Sequence, residues 1–246
     1  VGTYNGLCRY IASNGKFEKI PLPVNSSQSN LFVNSLLEDT GRQCIWIGTE
    51  GYLFQYFPST GQMKQTEAFH NNSIKSLALD GNGYLLAGTD NGLYVYHNDV
   101  TPLQHIIHDS RNIQSLTNNI IWNIFADQEH NIWLGTDYGI SLSRYNSALQ
   151  FIPISQITGT GDGNQFYSLF RDSKGFYWFG GTNGLIRFTD PAGDKHNAIW
   201  YRMGDKTYPL SHNRIRHIYE DKEQQLWIAT DGSINRYDYA TRQFVH

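Results

Sequence analysis

The chain lacks any run of about 18 apolar residues, so it offers no membrane-spanning helix, and no signal-peptide pattern begins at Val1. It also lacks a charge excess. The 19 Lys and Arg stand against 22 Asp and Glu, giving a net charge of −3, and they are scattered rather than clustered. That distribution argues against a nucleic-acid surface and against steering of polyanions by bulk charge. No long stretch carries the 3.6-residue apolar period of an amphipathic helix, which removes helices as the main building element. Cysteine is scarce: Cys8 and Cys44 each fall inside an expected strand and read as small buried apolar side chains, and in an exported chain they could instead close a disulfide. The sequence opens in mid-motif at "GTYNGLCRY", as at a boundary inside a longer protein, so missing targeting signals leave the compartment open.

What is abundant is strand and turn material. Aromatic residues make up 14% of the chain, and 23 Gly punctuate short runs rich in Ile, Tyr, Phe and Leu. One pattern recurs: "IWIGTEGYLFQY" from Ile45, "LLAGTDNGLYVY" from Leu85, "IWLGTDYGISLSRY" from Ile132 and "YWFGGTNGLIRF" from Tyr177. A catalytic motif is used once per active site, whereas a recurring one builds architecture. Trp46, Leu86, Trp133, Trp178 and Trp227 are equivalent positions, spaced by 40, 47, 45 and 49 residues. That is the period of a four-stranded propeller blade. Before each comes an Asp closing a short strand: Asp39, Asp80, Asp127, Asp172 and Asp221.

Several repeated residues have folding roles that need no ligand. Gly48, Gly88, Gly135 and Gly180 lie where a missing side chain lets one blade approach the next, and Gly6, Gly92, Gly139 and Gly184 suit hairpin turns that need positive φ. The Asp residues can accept backbone N–H bonds at the first turn. Asn72, Asn119, Asn164 and Asn213, eight residues before the Asp in four repeats, fit side chains that bond local backbone. The expected fold is all-β: a β-propeller of four-stranded antiparallel blades, with a partial N-terminal blade (1–29) and five repeats (30–71, 72–117, 118–162, 163–211 and 212–246) forming one segment. Residues 1–20 are expected to supply only the last two strands of the partial blade. A propeller closes by pairing its first and last blades, so these repeats are expected to be cut from a larger propeller, seven-bladed or double.

A strand ending in Asp followed by "x-W-[IL]-G-T-x-x-G-[IL]-x-x-[YF]" resembles the two-component regulator propeller repeat, over nearly the whole chain. The segments "SLTNN" at Ser115 and "PLSHN" at Pro209 are similar to the family's inter-blade loops. Departures are local: Leu86 replaces the Trp, Ala229 replaces the Gly, and "TEGY" and "TDGS" are shorter turns. The resemblance implies a periplasmic sensor region of a hybrid two-component system of glycan-degrading gut bacteria, anchored at the inner membrane through parts outside this sequence. It implies an oligosaccharide ligand, other domains of the same sensor and a homodimer as partners, and a histidine kinase that this chain does not contain.

Candidate ligand residues are those that differ between blades, because a purely structural position tends to repeat. Five residues before each Asp stand Asn34, Lys75, Trp122, Tyr167 and Arg216, and the next position is mostly small and polar: Ser35, Ser76, Asn123, Ser168 and His217. Trp122 and Tyr167 could stack on the C–H face of a sugar, and Arg216 could clamp a carboxylate or sulfate. The plainer alternative is that these bulky residues plug a channel or meet a neighbouring blade.

Glu50, Asp90, Asp137 and Asp231 repeat at the second turn, which favours a turn role over a carboxylate pair for glycoside cleavage. "HIIHD", with His105, His108 and Asp109, lacks tight metal-ligand spacing, and "GTGDGN" from Gly159 lacks the flanking strand and helix of a phosphate loop. Neither a metal nor a cofactor is expected. The leading expectation is a non-enzymatic ligand-sensing module; its rivals are a propeller polysaccharide lyase or glycosidase and a protein-interaction scaffold.

Overall fold

The computed structural model describes residues 1–23, 32–65, 69, 72–97, 102–145, 151–153 (backbone), 164–189, 198–207 and 209–246, and these divide into two compact units, 1–106 and 107–246. Among the described residues there are strands and no helix. The first unit opens with β1 (Gly2–Thr3), β2 (Gly6–Ile11) and β3 (Lys16–Ile20), paired as one antiparallel sheet. The partial blade thus has three strands where two were expected, because the chain before the Gly6 turn folds back as a two-residue strand on β2. Two four-stranded sheets follow: β4 (Val33–Asp39), β5 (Cys44–Thr49), β6 (Leu53–Phe57) and β7 (Gln62–Gln65), then β8 (Ile74–Leu79), β9 (Leu85–Thr89), β10 (Gly92–Tyr96) and β11 (Gln104–Ile106).

The second unit contains three more sheets of the same meander order. They are β12 (Ile121–Ala126), β13 (Ile132–Thr136), β14 (Gly139–Ser143) and β15 (Phe151–Pro153); β16 (Phe166–Arg171), β17 (Tyr177–Gly181), β18 (Gly184–Phe188) and β19 (Ile199–Tyr201); and β20 (Ile215–Glu220), β21 (Leu226–Thr230), β22 (Ile234–Asp238) and β23 (Gln243–Val245). Each is the antiparallel unit from which β-propellers are built.

The core lies between successive sheets. Within the first unit, Trp46 and Leu53 of one sheet pack against Ile74, Leu77 and Leu85 of the next. Within the second, Trp133, Ile140 and Leu142 meet Phe166, Leu169 and Phe179, and Trp178 and Leu185 meet Ile215, Ile218 and Ile228. Glycine sets how close the sheets come. A Cβ on Gly180 would stand 2.4 Å from Ile215 Cγ2, and one on Gly135 2.6 Å from the Phe166 carbonyl oxygen, distances at which something must move. The hairpin glycines Gly6, Gly92, Gly139 and Gly184 have φ of 103°, 93°, 93° and 107°, as the turn chemistry predicts.

Hydrogen bonds tie neighbouring sheets at recurrent places. The hydroxyl of Ser35 accepts the Leu77 N–H (3.1 Å), and that of Ser168 accepts the Ile218 N–H (3.0 Å). This explains the small polar residue at that position. Asn123 stands in the same place, and its Oδ1 is buried without a partner among the described residues. The second-turn amides of Gly51, Gly139 and Gly184 donate to the carbonyls of Asn72, Asn164 and Asn213 in the following sheets. The Asn side chains bond locally as expected at three positions, Asn119 accepting from His108 N, Asn164 from Asn183 N and Asn213 from Met203 N, whereas Asn72 donates to the Tyr94 hydroxyl.

The Asp at the first turn does more than hold backbone. Asp39, Asp127, Asp172 and Asp221 each accept the indole N–H of the repeat Trp, at 3.0, 2.8, 2.7 and 2.7 Å from Trp46, Trp133, Trp178 and Trp227. Asp80, whose repeat has Leu86 in that place, accepts the backbone N–H groups of Asn82 and Tyr84. In the second unit the same carboxylates reach the next sheet. Tyr177 donates its hydroxyl to Asp127 and Tyr239 donates to Asp172. Burial, then the adjacent carboxylate, pushes both phenols far above their ordinary range, so they stay neutral donors.

Candidate functional site at the bulged inner strands

In all five four-stranded sheets the first strand slips register against the second at one place: between Val33 and Ser35, Ile74 and Ser76, Ile121 and Asn123, Phe166 and Ser168, and Ile215 and His217. The residue skipped is Asn34, Lys75, Trp122, Tyr167 or Arg216. Each candidate ligand residue therefore stands at a β-bulge, opposite no partner of its own. A bulge bends the strand and re-aims the extra side chain, which is why bulges gather beside functional sites. A position outside the ladder is also free of pairing constraints, which accounts for its variation from blade to blade.

The structure brings three of the five together. Trp122, Tyr167 and Arg216 lie on β12, β16 and β20, successive inner strands of the second unit. The Trp122 and Tyr167 rings meet edge to face, with centroids 5.3 Å apart and planes at 81°. Trp122 Nε1 donates to Asp137 Oδ1 (3.0 Å), Gln165 Nε2 donates to the same oxygen (2.6 Å), and the Tyr167 hydroxyl donates to Gln165 Oε1 (2.5 Å). One carboxylate on the β13–β14 turn thus fixes an aromatic corner spanning two sheets. Arg216 Nε and Nη2 donate to the two oxygens of Asp231, and Arg214 stands 3.8 Å from the same carboxylate. Asn34 and Lys75 belong to the first unit. Asn34 donates to Ser73 Oγ and the Ile74 carbonyl of the next strand, and Lys75 is half-buried on β8.

The second-turn acids divide by role. Their amides serve the turn: Asp90, Asp137 and Asp231 donate N–H to the carbonyls of Ser73, Ile120 and Arg214. The carboxylate of Asp90 also bonds backbone, at Ser73 N, but those of Asp137 and Asp231 orient the candidate side chains. Gln165 is the residue that sequence reasoning passed over. The only signal for it was a polar side chain seven residues before Asp172, a position that is Ile120 one blade earlier. Hydrogen bonding to Asp231 holds the Arg216 guanidinium charged, and hydrogen bonding to Arg216 holds the Asp231 carboxyl below its ordinary range.

The remaining candidates are otherwise engaged. His105 stacks on Tyr94 at 4.0 Å, His108 Nδ1 bonds the Leu116 carbonyl, and Asp109 pairs with Arg111. Residues 159–163 of "GTGDGN" lie outside the described residues. Both cysteines are thiols, Cys44 buried on β5 and Cys8 half-buried on β2. Beside the Asp137 turn, a cleft of about 380 Å³ is lined by Arg111, Asn112, Leu116, Thr117, Tyr138 and Ile140, among others.

Repeated four-stranded antiparallel sheets, each with one variable bulged residue, define the class as β-propeller. The two component regulator propeller family matches at residues 115–138, 160–183 and 209–232, and the chain belongs to that family. Two solved structures of the extracellular domain of BT4673 from B. thetaiotaomicron, named once as a one component system and once as a hybrid two component system, are 94% and 95% identical over 100% of this chain, with TM-scores of 0.57 and 0.58. The chain spans 33% of the length of each. Virginiamycin B lyase from Staphylococcus aureus is similar in fold alone, at 14% identity and a TM-score of 0.67 over 94% of this chain and 73% of that one. No curated protein matches. Among the described residues no helix is long and apolar enough to cross a membrane.

Proposed function

We propose that this chain is a non-enzymatic ligand-sensing segment of a two-component regulator, placed in the periplasm, detecting an oligosaccharide and passing the signal to a histidine kinase elsewhere in the protein. The observation that carries the reading is the recurrent bulge, which places Trp122 and Tyr167 as a braced aromatic corner of the type that sugar rings stack on. Family membership and the names of the BT4673 structures support a sensor role. The mechanism is differential binding: a ligand that prefers one arrangement of the sensor shifts the population toward it, by no more than its difference in affinity for the two. A homodimer is the natural receiver of such a shift.

The enzymatic alternative fits the site less well. A glycosidase needs a carboxyl whose pKa is raised, to act as acid, beside a second carboxylate. Here Asp231 is lowered by Arg216, and Asp137 is occupied by Trp122 and Gln165. Calorimetric titration of the full-length protein against an oligosaccharide panel tests the proposal: binding without new reducing ends is expected. Release of reducing ends would replace it with the enzymatic reading, and binding to protein partners with none to saccharides would replace it with the scaffold reading.

A further inference from the structure

From the residue type alone, Arg216 suggests an anion clamp. Its guanidinium, however, is already paired in a fork with Asp231, Nε to one oxygen and Nη2 to the other, with Arg214 flanking the same carboxylate. Such bidentate pairs are the strong form of the ion pair. An anionic ligand would meet only the donors that the fork leaves over, next to a carboxylate that repels it. Asp137 presents a complementary situation. Its Oδ1 takes both the Trp122 indole and the Gln165 amide, while its Oδ2 accepts nothing from the described residues. The polar atom offered next to the aromatic corner is therefore a carboxylate oxygen, which accepts hydrogen bonds and donates none. It attracts hydroxyl groups and repels carboxylates and sulfates. Trp122 and Tyr167 are each only half-buried, and their planes stand nearly at right angles.

We infer that the Trp122–Tyr167 corner takes a neutral, polyhydroxylated sugar ring, its C–H face on the aromatic pair and a hydroxyl donated to Asp137 Oδ2, and that the face selects against anionic glycans. This rests on the saccharide-sensing reading above and narrows it. Discrimination comes from the turn carboxylates: Asp231 takes one edge of the arginine that an acidic sugar would use, and Asp137 supplies the acceptor that a neutral sugar needs.

The test is titration of the full-length protein with neutral probes (xylotetraose, mannotetraose, galactotetraose) and anionic ones (tetragalacturonate, a sulfated chondroitin tetrasaccharide). The inference expects a neutral probe to bind with a Kd that changes less than about twofold between about 50 and 500 mM salt, because no charged pair forms with the ligand. It expects Asp137→Asn and Trp122→Leu each to weaken that binding about tenfold, the ordinary scale for a charge-assisted hydrogen bond or an aromatic contact. Thermal melts check that both variants fold, and each reports on a different half of the site. Binding of an anionic probe that is lost at high salt and in Arg216→Gln would overturn this inference while leaving saccharide sensing intact. Neutral binding unchanged in both variants would also overturn it, by placing the ligand elsewhere. Binding of no probe at all would remove the saccharide reading and this inference together.

Discussion

Asp39 is almost wholly buried, at 2% exposure, a setting that by itself works against ionisation. Hydrogen bonds from the Trp46 indole and from the Arg42 amide and guanidinium outweigh that burial, and the carboxyl lies below its ordinary range. A carboxyl depressed on folding contributes stability that is complete above the unfolded value, near pH 4, and is lost as pH falls through the folded value. Asp39→Asn should therefore lower stability at neutral pH by about 1–3 kcal/mol and flatten the acid limb of a plot of unfolding free energy against pH. An acid limb as steep as that of the wild-type protein would mean that Asp39 carries none of it. Repetition made the pairing of Asp with Trp legible in the sequence, since the Asp recurs in all five repeats and the Trp accompanies it in four. The bond between them was not, because an acceptor for backbone N–H explains the Asp equally well, and Asp80 beside Leu86 is held in just that way.

Strands and their hairpins followed from alternation and from glycine placement, and the tight approach of one sheet on the next was implied by Gly48, Gly135 and Gly180. The bulge was hidden at Asn34, because burial keeps alternating through it, whereas at Trp122 the buried Ile121 and Ile124 stand three residues apart, a break in the two-residue period that no residue type labels. What did show was the variability of those five positions, which is a consequence of the bulge rather than its cause. Close approach gives a test at this scale. Gly180→Ala places a methyl group against Ile215 and should cost about 1–3 kcal/mol through overpacking. Ile215→Ala opens a cavity at the same spot and costs about 2–5 kcal/mol alone. Combined, the two should cost clearly less than their sum in a denaturant-based double-mutant cycle. Simple additivity would show that the contact does not govern the spacing.

Across the whole molecule, each unit is a series of sheets that pack on their neighbours in sequence, so stability is a sum of local terms and one damaged junction should stay local. Hydrogen exchange of Gly180→Ala should rise in β16 to β23 and remain unchanged in β4 to β7. A uniform rise in both units would replace that picture with one cooperative block. The site was legible only in part at this scale. The sequence marked Trp122, Tyr167 and Arg216 as variable, but not that Asp137 and Asp231, read as turn residues, decide what the three present. That relation depends on which turn stands over which bulge, and no local pattern encodes it. Because the bulged residue lies outside the ladder, a copied blade keeps its build while a single codon rewrites what it shows. Repeats of this kind give a lineage a stock of independent letters on an unchanging page, so related chains can come to present different surfaces by spelling rather than by folding anew.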